Sequence, residues 1–409
     1  MKKITTISAT LSGNRGAEGM LRAMIENIRA LEPDVYFNVL SVYPHDDVNE
    51  NDYSSVEIVD GRPKVFMIRS FMEAFIYKFI TKKFVKRYCR ASKAILESDL
   101  VLDLSGVSFV DGRGLPLLIY NLQCVLIPKW YNVPIMKVSQ AMGSFNGILN
   151  KMAARYALKK VDLIAARGLV TSAHLDSIKI KHEYCTDAAF SLETKGSLPD
   201  KVISVFGSLR KNEKKIIGLC PSVVVKEYCD NHKMDYKVIM TEFVKRLTDK
   251  GYSVVMFSHS ARKFTSKSKN NDLPLCREIY QKANNLKDFH FIDDILNAVE
   301  LRLLIGQCDY FIGSRFHSVI SALCVKVPFF LIGWSHKYAE VLDAFQIPEM
   351  ALDFKDLKVK KLMEKFDELI EEEDRIRNLI ESNLEGVVNL SGKNSELAIR
   401  LLEAKNETE

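Results

Sequence analysis

The feature that most constrains the fold is a strand–turn–helix–strand unit in the last third of the chain. Residues 310–312 are an apolar strand, residues 318–325 a helix rich in small side chains, and residues 329–332 a second apolar strand. A helix that joins two strands of one sheet in this way makes them parallel. Parallel sheets lie inside α/β domains with helices on their faces, so the sequence predicts an α/β fold.

Three cationic or titratable side chains follow the ends of these two strands. Arg315 and His317 come after the first strand, where the helix begins, and Lys337 follows the second. Because the carboxyl ends of parallel strands open on one crevice, the three side chains are candidates to converge on one anion. The helix start would add N–H donors and a positive dipole end. The alternative is that they are solvated loop charges and an ordinary helix-start histidine.

Length and composition limit the remaining possibilities. At 409 residues the chain is too long for one core, which predicts two domains of about 200 residues each. The apolar share of 47% and the charged share of 27% are typical of a soluble globular protein. The net charge of +6 fits an anionic substrate or an anionic membrane surface, and it is too small to indicate a nucleic-acid partner.

The cysteines and the N-terminus indicate a cytoplasmic protein. The eight cysteines show neither a CxxC pair nor zinc-finger spacing, so we expect small core side chains in a reducing compartment. No cluster of His, Cys and carboxylates has metal-ligand spacing, so no metal is expected. The first residues show no secretory signal, and no apolar segment approaches the ~20 residues that cross a bilayer.

A second strand–loop–helix unit opens the chain. Residues 3–9 are a predicted strand and residues 19–30 a predicted helix, with a glycine-containing loop between them. Gly13 and Gly16 allow close backbone approach, so this loop is either a cradle for an anion or a sugar, or a tight turn capped by Asn14.

Residues 64–96 combine aromatic and basic side chains. One interpretation is a core-facing helix with a solvated basic face. The other is a helix that lies on a membrane surface, where it meets a lipid-linked acceptor. The basic residues are Lys78, Lys82, Lys83, Lys86, Arg87 and Arg90, and the aromatic ones include Phe66, Phe71, Phe75, Phe79 and Phe84.

Glycine, proline and charged residues between positions 191 and 214 predict a linker between two halves of alternating strands and helices. We therefore predict one Rossmann-like domain at 1–195 and a second at 210–365. Residues 366–409 are strongly charged, with Leu and Ile at helical spacing, and we expect helices there that pack back on the body.

Five segments resemble motifs of the polysaccharide pyruvyltransferase family: residues 12–18, 103–111, 167–175, 185–190 and 313–337. The last, with Gly313-x-Arg315-x-His317, an Ala-containing helix, Val327-Pro328 and Lys337, is the most specific. The chain departs from the family pattern at Ser105, Gly168 and Ala188. The resemblance implies a GT-B type of fold, in which two Rossmann-like domains face a central cleft, with the acceptor on the first domain and the donor on the second.

The resemblance also implies an activity. This is transfer of pyruvate from phosphoenolpyruvate to a sugar of a surface polysaccharide or of its lipid-linked precursor, forming a ketal and releasing phosphate. The donor carries a carboxylate and a phosphate, which cations must hold. The residues implied for the donor are Arg167, Arg315, His317 and Lys337. Arg315 and His317 are the implied catalytic pair, with His317 either contacting the phosphate or handling protons.

On the acceptor side the resemblance implies Asn14 together with Asp103 or Asp111, and it reads Asp187 as mainly structural. No cofactor is expected beyond phosphoenolpyruvate as co-substrate. Two other functions fit the same architecture. One is a GT-B nucleotide-sugar glycosyltransferase, and the other is a non-catalytic scaffold that binds glycans or anions. The expected location is the cytoplasm, at the inner face of the membrane if residues 64–96 bind it.

Overall fold

A computed structural model of the chain describes residues 2–82, 87–262, 270–283, 286–333 and 336–406. For residues 336, 337, 405 and 406 the description covers the backbone alone. Internal contacts divide the chain into two compact units. The first unit comprises Met1–Ser12, Ala17–Leu192 and Val388–Glu409, and the second comprises Gly13–Gly16 and Glu193–Val387.

The first unit is built on a parallel sheet with the strand order β3-β2-β1-β4-β6-β7-β8, and β5 pairs with β6. The order reverses between β1 and β4, which makes that pair the switch point of the sheet. Strand β4 is buried along its whole length, as expected for a parallel strand covered on both faces. The strands are β1 (Lys2–Ile7), β2 (Val35–Ser41), β3 (Val56–Asp60), β4 (Leu100–Asp103), β5 (Val107–Ser108), β6 (Ile135–Met142), β7 (Leu163–Arg167) and β8 (Glu183–Cys185).

Helices connect these strands and cover the sheet. They are α1 (Arg15–Leu31), α2 (Pro44–Glu50), a π-helical segment (Lys64–Ser70), α3 (Phe71–Phe79), α4 (Arg90–Leu96), α5 (Leu115–Trp130), α6 (Ile148–Leu158), α7 (Gly168–Ser177) and a 3-10 turn (Ala188–Ser191). The first two residues of α1 group with the second unit.

The second unit contains another parallel sheet, with the order β11-β10-β9-β12-β13-β14. Its switch point lies between β9 and β12, because the chain adds strands on one side of β9 and then crosses to the other. Strand β9 is buried at every residue. The strands are β9 (Ile216–Cys220), β10 (Ser253–Phe257), β11 (Phe289–Ile292), β12 (Tyr310–Gly313), β13 (Phe329–Gly333) and β14 (Ala351–Asp353).

The helices of the second unit follow the same alternation. They are α8 (Asp200–Arg210), α9 (Val223–Asn231), α10 (Tyr236–Asp249), α11 (Leu273–Lys282), α12 (Ala298–Ile305), α13 (Phe316–Cys324), α14 (His336–Ala344), α15 (Val359–Glu371) and α16 (Glu373–Asn406), with 3-10 turns at Pro348–Met350 and Phe354–Asp356. From Val388 onward, the residues of α16 group with the first unit.

The predicted linker at 191–214 is wrong in its central part. Helix α8 occupies it, and Val202, Phe206 and Leu209 of this helix are buried at i, i+4 and i+7. That apolar spacing is helical, and it outweighs the single Gly207 in the same stretch. The predicted domain boundaries at 195, 210 and 365 stay predictions.

Residues 64–96 divide between core and surface. Phe66 is buried, and the ring of Phe71 packs on Trp130 with 5.0 Å between centroids, as a core-facing helix requires. Met72 and Phe79 are instead more than half exposed. Residues 83–86 lie outside the described part of the chain, so the predicted Lys83, Phe84 and Lys86 cannot be placed. No helix among the described residues has the length and apolar character needed to cross a bilayer.

Candidate active site

The carboxyl ends of three neighbouring strands meet at the switch point of the second unit. Residues 221–222 follow β9, residues 258–260 follow β10, and residues 314–315 follow β12. The segment Gly13–Gly16 joins them, since the hydroxyl of Ser260 lies 3.3 Å from the carbonyl oxygen of Gly13. Open α/β sheets bind their ligands at such a point.

Asp272 holds this cluster together. Its buried carboxylate accepts two hydrogen bonds from Arg315, from Nε at 2.9 Å and from Nη2 at 2.5 Å. The backbone N–H groups of Val223, at 2.9 Å, and Ser260, at 3.2 Å, donate to the same two oxygens. Each oxygen therefore accepts two bonds, which satisfies the buried charge and ties three strand-end loops to one side chain.

The guanidinium of Arg315 is thereby oriented for a ligand. Asp272 takes up Nε and one N–H of Nη2, and it is the hydrogen-bond partner of the guanidinium among the described residues. Nη1 and the remaining N–H of Nη2 can therefore donate to an anion. Burial opposes the positive charge, but the Asp272 carboxylate outweighs it and raises the pKa of Arg315. The side chain is 17% exposed, enough for a ligand to reach it.

His317 lies in the first turn of α13 with its ring against the backbone of Gly16. A Cβ placed on Gly16 would lie 2.0 Å from Nδ1 and 2.4 Å from Cγ of the imidazole. No side chain fits in that space, so the contact requires glycine. The ring of Phe316 stands edge-on to the imidazole, with 5.1 Å between centroids. The imidazole is therefore held in place by both neighbours.

Two further buried side chains complete the cluster. His259 is 4% exposed and Arg15 is 3% exposed. Burial is the main cause that holds the pKa of His259 well below its ordinary value. The neighbouring His317, Arg315 and Arg15 lower this pKa further. His259 is therefore neutral near pH 7 and can exchange a hydrogen bond with a ligand without adding charge.

The cluster has the chemistry of an anion site. Two arginines and two histidines lie close together here, and the carboxylate of Asp272 pairs with the guanidinium of Arg315. The N-terminus of α13 adds backbone donors and the positive end of its dipole. A small ligand with one or two negative charges fits this arrangement.

Arg167 belongs to the first unit, at the end of β7. Its Nη1 donates to Oδ2 of Asp187 at 2.8 Å, and the two side chains are almost fully buried. The other oxygen of Asp187 accepts from the N–H of Ala189 at 3.0 Å and caps a 3-10 turn. This gives Asp187 a structural role. The convergence of Arg167 with Arg315 on one donor stays a prediction.

Asp103 lies in the core of the first unit. Its carboxylate and the Lys137 ammonium are fully buried 2.6 Å apart, and the N–H and hydroxyl of Ser105 donate to it at 3.0 and 2.6 Å. Burial alone would raise the pKa of Asp103, but Lys137 and Ser105 outweigh it and lower the pKa. The ionised carboxylate is fully occupied, which favours a structural role over acceptor binding.

Asp111 is the more accessible of the two acids. It accepts hydrogen bonds from the N–H of Asn146 at 2.7 Å, the amide of Asn150 at 2.8 Å and the hydroxyl of Ser144 at 3.1 Å. Burial acts to raise the pKa of Asp111, but these donors lower it overall. Asp111 thus stays ionised and organises the loop after β6, so a role as general base would require a change in these bonds.

Asn14 is exposed and caps the start of α1, since its Oδ1 accepts from the N–H of Gly16 at 3.1 Å. Its contact with an acceptor stays a prediction. Lys337 lies in α14, but its side chain is outside the described part of the chain.

Sequence reasoning did not assign Asp272 or Arg15 to the site. Asp272 precedes α11, in a stretch where Pro274 marks only a helix start. Arg15 lies within the segment 12–18, and the sequence does not show that its side chain is buried. Among the described residues, no group of three or more His, Cys, Asp or Glu side chains is placed to hold a metal ion.

Comparison with known proteins decides the family. Residues 14–336 match the model of the family described as polysaccharide pyruvyl transferase. The chain belongs to the polysaccharide pyruvyl transferase family. The matched range includes Arg15, Asp272, Arg315 and His317. A member of this family is a transferase that acts in polysaccharide biosynthesis.

One relative and two solved structures extend this result. The amylovoran biosynthesis protein AmsJ of Erwinia amylovora is 21% identical over 401 residues, which cover 90% of this chain and 93% of that protein. The UDP-GlcNAc 2-epimerase of Neisseria meningitidis, solved with UDP-GlcNAc bound, has a TM-score of 0.62 at 11% identity, over 99% of this chain and 100% of that one. Trehalose-6-phosphate synthase OtsA has a TM-score of 0.59 at 10% identity, over 98% and 99% of the two chains. These similarities confirm the predicted fold class, two Rossmann-like domains of the GT-B type.

Proposed function

We propose that this transferase moves pyruvate from phosphoenolpyruvate to a sugar of a surface polysaccharide or of its lipid-linked precursor, as a cyclic ketal, with release of phosphate. The observation that supports this most is the cluster of Arg15, His259, Arg315 and His317 around the buried Asp272. The cluster is rich in cationic and titratable side chains and is anchored by Asp272, which suits a small donor with two acidic groups.

The donor is held through its carboxylate and its phosphate. Arg315 binds one of these groups through Nη1 and Nη2, because Asp272 fixes the plane of its guanidinium. Arg15 and the backbone donors of α13 lie beside it. Arg167 and Lys337 complete the donor set. No cofactor takes part.

The chemistry requires one proton to reach the donor and one to leave the acceptor. A proton is added to the methylene carbon, which becomes a methyl group, and C2 becomes oxocarbenium-like. One sugar hydroxyl forms a bond to C2, the C2–O bond to phosphate breaks, and a neighbouring hydroxyl closes the ketal. Of the two hydroxyl protons, one balances the new methyl group and the other leaves with the phosphate. His317 carries these protons or steadies the departing phosphate.

On the acceptor side we propose Asn14 and Asp111, while Asp103 supports the core of the first unit. Peripheral membrane contact through residues 64–96 would bring the enzyme to a lipid-linked acceptor at the inner face of the membrane. The exposed Met72 and Phe79 support this contact.

The decisive test is phosphate release from phosphoenolpyruvate in the presence of sugars with neighbouring hydroxyls, with mass spectrometry of the acceptor. The expected product carries the added mass of pyruvate less water. His317→Ala should lower the rate by about 10²–10⁴-fold, and Lys337→Ala should weaken donor binding. His232→Ala is the matched control, since His232 is an exposed histidine of the same unit that stacks on Tyr228. Near wild-type rates in both His317→Ala and Lys337→Ala would contradict the proposed site.

A nucleotide-sugar glycosyltransferase is the second candidate, because solved structures of this fold include one with bound UDP-GlcNAc. Thermal shift separates the two. Stabilisation by a nucleotide sugar, with none by phosphoenolpyruvate, would favour the glycosyltransferase. Release of phosphate with a diol acceptor would exclude a non-catalytic scaffold.

A further inference from the structure

Helix α6 of the first unit carries an apolar stripe on its solvent side. Ile148, Leu149, Met152 and Tyr156 are 76%, 73%, 66% and 55% exposed. At 100° per residue these four side chains fall within an arc of about 100° on the helix. The opposite face packs inward through Ala154, Ala157 and Leu158. The stripe therefore contributes nothing to the core of its own unit.

The charges on this helix all have one sign. Residues 148–160 contain four exposed cations and no acid: Lys151, Arg155, Lys159 and Lys160. Among the described residues none of the four forms an ion pair. By the same angular arithmetic Lys151 and Arg155 border the apolar arc on one side, and Lys159 and Lys160 follow directly after the end of the helix. The ammonium of Lys160 also lies 4.7 Å from the ring centre of Tyr156, which leaves an aromatic residue and a lysine side by side at one end of the stripe.

An open groove continues the stripe at the N-terminal end of α6. It has a volume of about 410 Å³ and lies between residues 110–115 and 147–150. Leu115, on α5, is 61% exposed there. Helix α5 packs against α6, so the exposed apolar side chains of the two helices lie on one layer of the unit.

We infer that this face of α6 is a docking surface for an anionic lipid bilayer. A row of apolar side chains, accompanied by cations that form no ion pair among the described residues, matches both the hydrocarbon boundary and the negative surface of such a membrane. A second copy of the chain fits poorly, because a two-fold contact would place the cations of one copy against those of the other. The surface is distinct from residues 64–96, and it rests on no assumption about the donor.

The first measurement is flotation of the full chain with vesicles of phosphatidylglycerol or of phosphatidylcholine. We expect binding to the anionic vesicles that weakens in high salt, and little binding to the neutral ones. The double variant Ile148→Ser, Met152→Ser should weaken binding at least about tenfold. The reason is that the free energy gained by burying these two apolar side chains in the bilayer is lost. Lys151→Gln with Arg155→Gln should weaken binding roughly 25-fold, from about fivefold for each cation near the surface.

Matched controls separate this face from others. Ile203→Ser with Val238→Ser removes two exposed apolar side chains of the second unit and should leave binding unchanged. Met72→Ser with Phe79→Ser tests the other apolar surface of the first unit. If only that pair lowers binding, the assignment to α6 is wrong.

Two other results would overturn the assignment. One is equal binding of the wild type and both α6 variants. The other is that the wild type does not bind vesicles but forms a dimer, and that Ile148→Ser dissociates this dimer. This face of α6 would then be a contact between two copies of the chain. Flotation needs no substrate, so a failure here is distinguishable from a failure of the proposed reaction. The α6 variants should keep the wild-type rate on a water-soluble acceptor.

Discussion

Each unit of the molecule places an arginine at the end of a parallel strand and pairs it with a buried aspartate, but the two pairs differ in position and geometry. Arg315 lies at the switch point between β9 and β12, and two of its nitrogens donate to Asp272. Arg167 ends β7, two strands away from β4 at the switch point of its sheet, and Nη1 donates to Asp187. The position in the sheet decides which pair faces a ligand crevice.

The units also share a histidine packed on a glycine. In the first unit a Cβ on Gly143 would lie 2.2 Å from Nδ1 of His174, and this nitrogen is 2.9 Å from the carbonyl oxygen of Met142. A carbonyl can only accept, so Nδ1 of His174 donates and serves the local backbone. In the second unit the histidine on Gly16 is His317, which lies among arginines. The same packing device thus supports a loop in one unit and a site in the other.

Asp272→Asn, compared with Asp187→Asn, should show the largest difference between the units. Asp272 is the counter-charge of buried Arg315 and accepts four hydrogen bonds, whereas an amide is uncharged and offers one acceptor oxygen. We expect a loss of about 3–5 kcal/mol in the free energy of unfolding. Asp187→Asn also removes the counter-charge of a buried arginine, but it can still cap the turn at Ala189 and should lose less, about 3 kcal/mol. Urea denaturation of both variants measures this, and equal losses would show that the pairs are equivalent.

Arg315→Lys and Arg167→Lys test which arginine carries the donor. Lysine keeps the positive charge, but it lacks the planar guanidinium whose N–H groups can donate to Asp272 and to a bound anion at the same time. We expect kcat/KM for phosphate release to fall about 10²–10³-fold in Arg315→Lys, from the loss of two charge-assisted bonds. Arg167→Lys should cost about tenfold, because Arg167 lies away from the switch point of its sheet. Thermal melting of both variants controls for folding. A larger loss of kcat/KM in Arg167→Lys than in Arg315→Lys would mean that the first unit makes the main contact with the donor.

Gly16→Ala and Gly143→Ala compare the two glycine–histidine contacts. The new methyl group in Gly16→Ala overlaps the ring of His317, so the imidazole must move. We expect at least about tenfold lower activity, since small displacements in a site cost that much or more, with little change in stability. Gly143 has φ of +103°, so alanine there is strained and should lower stability by about 1–3 kcal/mol. If activity and stability fell in parallel in both variants, the Gly16–His317 contact would not differ in role from the Gly143–His174 contact.

The sequence predicted more of the fold than of the site. Apolar runs such as 216–220 and 310–313 are buried strands, and their composition alone indicates this. Helix α8 was not predicted, because Gly207 and the nearby charges were taken as signs of a linker. The helical spacing of Val202, Phe206 and Leu209 was the better indicator. Arg315 and His317 were predicted because they follow a strand end. Asp272 was not, since its 43-residue separation from Arg315 is bridged by the strand order, which a single sequence does not display.

The smallest expected effect concerns the pH dependence of stability and tests whether the second unit keeps His259 neutral. The pKa of His259 is lower in the folded protein than in an unfolded chain, so the unfolded state binds the proton first as pH falls. The stability contributed by neutral His259 is therefore complete above about pH 6.5 and declines below it, by up to about 1.4 kcal/mol per pH unit. His259→Gln should remove this slope from urea midpoints measured between about pH 7 and pH 5.5. For His290, burial lowers the pKa but nearby Asp288 raises it, so His290→Gln should change the slope less. A wild-type slope in His259→Gln would mean that another group, and not His259, takes up the proton in this pH range.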